Sequence, residues 1–127
     1  MRKLHLIALA GVIACASSGT GGSSSPGADR NLISQSELQL AVGNNLYEVV
    51  EKLRPNFLRS RGATSINTSG DEYPVVYVDG RRYGDIGSLR SLIPSQVSQV
   101  RYYDASSAGA RFGVINAPGV IEVIIKQ

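Results

Sequence analysis

The chain has 127 residues, room for one domain at the usual allotment of about 100–200 residues. Apolar residues make up 43% and charged ones 18%, a balance that excludes wholesale disorder, and no apolar run reaches the roughly 20 residues of a membrane-spanning helix. The formal charge is only +3, which makes no strong case for nucleic acid as a partner.

Met1-Arg2-Lys3 is a short positive segment, and Leu4 to Ala14 is mostly apolar with small residues at its end. This is the layout of a cleaved export signal, because the stretch is too short to span a bilayer as a helix. It ends Val12-Ile13-Ala14-Cys15. That run resembles the bacterial lipobox: an aliphatic residue, a small or aliphatic one, Gly or Ala, then the cysteine to be acylated. The resemblance implies cleavage before Cys15, a diacylglyceryl group on its sulfur and a further acyl chain on the freed amine. Several chains suit stable anchoring, where a single one gives marginal binding. Ala16 stands where an aspartate retains some lipoproteins at the inner membrane, so the expected location is the outer membrane, facing the periplasm.

Removal of residues 1–14 takes Arg2 and Lys3 with it, leaving 11 basic residues against 10 acidic. Residues 15–30 then form the acylated cysteine and a Ser/Gly-rich tether. Such a tract buries nothing and behaves as a flexible coil spanning about 20 Å. Residues 31–127 are the expected domain. It contains no His, Cys, Met or Trp, since His5 and Cys15 are the only His and Cys in the chain. Ser-His-Asp and Cys-His catalysis, thiolate or imidazole zinc sites, haem ligation and disulfides therefore lack their parts. The expectation is a non-catalytic protein with no cofactor.

Ser34-Gln35-Ser36-Glu37 fits a capping box and predicts a short helix to about Val42. After Asn44-Asn45, the residues Leu46, Val49, Val50 and Leu53 recur at helical spacing, with Glu48 early and Lys52 and Arg54 late, as the macrodipole favours. Pro55 stops this helix, and Phe57 and Leu58 are expected to fold back onto the core. Arg59 to Glu72 is polar and predicts a mobile loop. Pro74 to Val78 reads as a buried strand, Asp79-Gly80 as a hairpin turn and Arg81 to Tyr83 as the returning strand. A short helix over Ser88 to Ile93, a strand over Val97 to Tyr103, a helix capped by Asp104, a loop from Gly113 to Gly119 and a strand over Val120 to Ile125 complete the chain. Positive φ is expected at Gly80, Gly113 and Gly119. The fold class is α+β: a sheet of three or four strands with short helices on one face.

From Tyr73 onward the pieces occur in an order that resembles the plug domain of TonB-dependent outer-membrane receptors. They are Pro74-Val75-Val76-Tyr77-Val78-Asp79-Gly80, Leu92-Ile93-Pro94 with Val97 and Val100, Asp104-Ala105-Ser106-Ser107-Ala108, Arg111-Phe112-Gly113, and Pro118-Gly119-Val120-Ile121-Glu122-Val123. The similarity covers about 55 residues. Pro118-Gly119 replaces the usual Gly-Gly and Phe112 the usual Tyr, and no barrel sequence or clear TonB box accompanies them. The resemblance implies a stand-alone plug-like module that binds an envelope protein, with an outer-membrane receptor or uptake complex as partner.

Two candidate surfaces remain. Lys52, Arg54, Arg59 and Arg61 place four cations in ten residues, and with Arg81, Arg82 and Tyr83 they suit lipopolysaccharide phosphate, an anionic glycan or an acidic protein surface. Tyr77, Tyr83, Tyr102 and Tyr103 offer aromatic area for glycan or protein contact, although alternation sends Tyr102 and Tyr103 to opposite sheet faces and at least one into the core. A small-ligand or glycan-binding domain using these Arg and Tyr side chains is the second functional reading. Asp79 and Asp104 are better explained as turn and cap residues, and no calcium-loop motif occurs.

Overall fold

The computed structural model describes residues 29–61, 73–114 and 118–127. The expected export signal, Cys15 and nearly all of the tether lie outside these residues, as do most of the Arg59–Glu72 loop and the middle of the Gly113–Gly119 loop.

Five strands form one sheet: β1 (Leu32–Ile33), β2 (Val75–Val78), β3 (Arg81–Gly84), β4 (Val97–Asp104) and β5 (Gly119–Ile125). Their order is β1-β4-β5-β2-β3, with β5 central, antiparallel to β4 and parallel to β2. The domain is α+β, as the pattern predicts. The strand beyond the expected three or four is β1, which pairs Leu32 with Arg101 and Ile33 with Val100. Two residues are too few to display a period of two, so this strand has no sequence signature.

Helix α1 (Gln35–Leu40) starts at the expected capping box: Ser34 Oγ accepts from Glu37 N–H, and the Glu37 carboxylate accepts from Ser34 N–H at 2.8 Å. It ends two residues before Val42, because Ala41 is already extended. Asn45 caps α2 (Leu46–Leu53), accepting from Glu48 N–H at 3.1 Å, and α2 buries Leu46, Val49 and Val50. Past Pro55 the chain makes a 3-10 turn over Pro55–Leu58 that buries Phe57 completely. The predicted helix at Ser88 is instead a 3-10 segment over Ile86–Ser91. There Ser88 and Ser91 hydroxyls donate to carbonyls three residues back, which favours the tighter winding.

Alternation along β4 and β5 divides the side chains between two faces. Val76, Val97, Val100, Tyr102, Ile121 and Val123 meet Ile33, Leu38, α2, Phe57 and Leu89 in the main core. Helix α3 (Ala105–Phe112), capped by Asp104, covers the opposite face instead of joining the other helices. The reason is the outward set Tyr77 and Tyr103: Phe112 packs against both, with ring centroids 4.5 and 5.4 Å away. With both faces covered, β5 reads as an almost unbroken apolar run.

The Asp79-Gly80 turn has positive φ at both residues, 48° and 78°, as a two-residue hairpin requires. Asp79 also accepts from Ile125 N–H through its side chain at 3.1 Å, fastening the hairpin to β5. A β-carbon at Gly80 would meet nothing within 4 Å, so only backbone strain opposes a side chain there. Gly80→Val is expected to cost about 1–3 kcal/mol, read as a lower denaturation midpoint; an unchanged midpoint contradicts the turn. Gly113 ends α3 at φ 66°, as expected. Gly119 does not have positive φ; its small size is required by crowding from Tyr102 and Tyr103.

Candidate functional site

The basic residues read from the sequence do not converge. Lys52 donates from Nζ to the Val42 carbonyl at 2.6 Å. Arg54 turns inward, donating from Nη2 to Glu37 Oε1 at 2.8 Å and to the Leu32 carbonyl at 3.2 Å, and so fastens α1, β1 and the end of α2 together. Arg59 is exposed, and Arg61 lies over the Tyr102 ring, 5.0 Å from its centroid. Arg81, Arg82 and Tyr83 stand on β3, at the opposite edge of the sheet from the β1 strand that Arg54 touches. Four strand spacings separate those edges, about 19 Å. The single patch expected from all six cations is therefore two separate groups, with Arg54 committed to the fold.

Burial works against the charged form of Glu37, but hydrogen bonds from Ser34 and the Arg54 guanidinium outweigh it and hold its pKa below the ordinary value. A carboxylate held low in the fold contributes stability that is complete above the ordinary glutamate pKa and lost as pH falls through the lower, folded value. Glu37→Gln is thus expected to be less stable than wild type at neutral pH and to approach it as pH falls below the ordinary carboxylate range and through the lowered folded value. Urea midpoints across that range check this; a constant gap contradicts it.

The tyrosines also separate. Tyr102 is in the core, stacked on Phe57 at 5.3 Å. Tyr83 is exposed and pairs its hydroxyl with Ser91 Oγ at 2.9 Å. Tyr77 and Tyr103 lie against Phe112 beneath α3.

A further polar site among the described residues is one the sequence did not single out. A cleft of about 560 Å³ opens between α3, β4 and the chain entering β1, with Arg101, Tyr103, Asp104, Ser107 and Arg111 on its walls. Beside it lies Glu122, only 4% exposed. Its carboxylate accepts from Tyr103 Oη at 3.0 Å and faces Arg111 Nη2 at 3.5 Å, while Arg101 stands directly opposite it in the β4–β5 register. Burial and the neighbouring Glu122 raise the Tyr103 pKa, against the opposing pull of Arg111 and Arg101, so the phenol stays a donor at neutral pH. The Arg111 guanidinium rides over the Tyr103 and Phe112 rings at 5.3 and 5.5 Å. Arg101 faces Asp29 at 3.5 Å.

Both arginine pairs are longer than a charge-assisted hydrogen bond, about 2.7–2.9 Å, and each guanidinium carries five N–H donors. The cleft thus sets guanidinium donors of Arg101 and Arg111 beside the carboxylates of Asp29 and Asp104. A hint of it is visible in the sequence: Glu122 is the one carboxylate in the apolar run of β5, and a charge there needs a cation nearby. Asp79, Asp85 and Asp104 accept from the backbone N–H groups of Ile125, Ser88 and Ser107 respectively.

No helix among the described residues is long and apolar enough to cross a membrane. No protein-family model matches the chain, and no curated protein matches it.

Proposed function

We propose that this chain is a bacterial envelope lipoprotein, acylated at Cys15 and held at the outer membrane facing the periplasm, whose domain is a non-catalytic protein-interaction module. The observation that carries the anchoring is the run Val12-Ile13-Ala14-Cys15, placed directly after an export signal and directly before a Ser/Gly tether. The binding role is supported by the cleft beside Glu122, where Arg101 and Arg111 present guanidinium groups on a rigid strand and helix. The run of elements from β2 to β5 is compatible with the plug-like order, and by that resemblance the proposed partner is an outer-membrane receptor or another envelope protein.

Cys15→Ala is expected to release the protein from the membrane pellet; persistence there after a carbonate wash argues against lipid anchoring. The module is tested by retention of a stoichiometric membrane protein from detergent-solubilised envelopes. An Arg101→Ala/Arg111→Ala double variant should lose it, and equal retention by that variant removes the cleft from the interface. The second reading, a periplasmic small-ligand or glycan-binding domain, is favoured by the cleft's volume, which falls in the range of about 300–1,000 Å³ typical of small-molecule sites. Saturable glycan binding without a protein partner would select it.

A further inference from the structure

Among the described residues, three large aliphatic side chains stand more than half exposed, on two segments that border one groove. Leu40, the last residue of α1, is 85% exposed, Val42 is 81% exposed and Ile93 51%. The segment carrying Leu40 and Val42 forms one wall of a groove of about 480 Å³, and Ile93, Pro94 and Ser95 form the other. Leu46 N–H bonds to the Leu92 carbonyl at 2.9 Å, which holds the two walls side by side.

The charges around this groove are two lysines and one carboxylate that is tied back to the backbone. The only two lysines after Lys3 both sit on its rims: Lys52 Nζ donates to the Val42 carbonyl and Lys126 Nζ to the Ser95 carbonyl at 2.7 Å. Glu48, the nearby acid on α2, is turned onto the Asn44 N–H and the Asn45 amide. Exposed aliphatic side chains flanked by two lysines, with no aromatic or arginine among the groove residues, differ from a protein interface, where aromatics and Arg are enriched and Lys is depleted. They match a surface that enters a lipid interface, where lysine stems lie along apolar surface and their ammonium groups reach phosphate.

We propose that this face, with Leu40, Val42 and Ile93 exposed beside Lys52 and Lys126, docks on the anionic lipid surface to which the chain is anchored. This rests on the lipidation of Cys15. Fourteen peptide steps from Cys15 to Asp29 extend at most about 50 Å, so the domain stays within reach of the bilayer. At that effective concentration a docking surface too weak to bind alone is occupied. The anchor then does more than hold the domain nearby: docking sets which way the α3 cleft faces.

The test uses the mature lipoprotein in vesicles of phosphatidylcholine with phosphatidylglycerol. An environment-sensitive fluorophore is placed on Val42→Cys, or on Ser106→Cys in α3 as control, with Cys15 blocked by its acyl chains. The expected result is blue-shifted emission at position 42, quenched by doxyl-labelled lipid, and neither effect at position 106. Leu40→Ser/Ile93→Ser should abolish the quenching, and pure phosphatidylcholine should weaken it. Matching spectra at 42 and 106 overturn the proposal. So does a blue shift at 42 in native envelopes that doxyl lipid leaves unquenched, which would assign the groove to a protein. The mass of the N-terminal peptide from the same sample reports on lipidation separately, so a missing anchor is not mistaken for a missing contact.

Discussion

Gly119→Val is expected to destabilise the domain by about 3 kcal/mol. For a domain of this size each kcal/mol lowers the melting temperature by about 4–8 °C. A β-carbon at position 119 would lie 2.6 Å from Tyr102 Oη, 2.7 Å from the Tyr103 carbonyl oxygen and 2.9 Å from Tyr102 Cζ. None of these can retreat easily. The Tyr103 carbonyl belongs to the β4 backbone, held in register against β5, and the Tyr102 ring is wedged in the core against Phe57. Gly119 is also the ladder partner of Asp104, which caps α3, so forcing the strands apart loosens the start of that helix. Gly119→Ala should show most of the same loss, because the first carbon already clashes. Thermal melts followed by far-ultraviolet circular dichroism check both variants; unchanged melting contradicts the packing described.

Phe57→Ala is the second large effect, with an expected cost of about 3–5 kcal/mol. Phe57 is fully buried and stacks on Tyr102 at an interplanar angle of 24°, so truncation leaves a cavity between the 3-10 turn and β4. The turn enters through Pro55 and bonds Phe57 N–H to the Arg54 carbonyl at 3.0 Å, a short tether that limits collapse into the void. The denaturant midpoint should fall sharply with little change in the slope of the transition. A loss below about 1 kcal/mol would place Phe57 outside the cooperative core.

What the sequence made legible was local. The capping box at Ser34, the stripe of α2, the Asp79-Gly80 hairpin and the Asp104 cap each lie within a few residues and have one physical interpretation. The contacts it left hidden depend on strand order. Arg54 looked free because no acid lies among residues 52–61; its partner Glu37 is 17 positions away and reaches it only after α1 and α2 fold together. Arg81 and Arg82 looked like neighbours of the Lys52–Arg61 group until the order β1-β4-β5-β2-β3 sent them to the far edge. Arg101 and Arg111 each resemble ordinary surface or strand residues, and only the β4–β5 register and the position of α3 gather them with Tyr103 around Glu122. Gly119 carried a different ambiguity. Glycine serves both for positive φ and for close approach, and position 119 uses the second.

The anchoring of the domain is tested most directly by mass spectrometry of the mature N-terminus purified from bacterial envelopes. The proposed chain begins at Cys15, with a diacylglyceryl group on its sulfur and an acyl chain on its amine. An unmodified Cys15 thiol, or a chain cleaved elsewhere, would contradict the account.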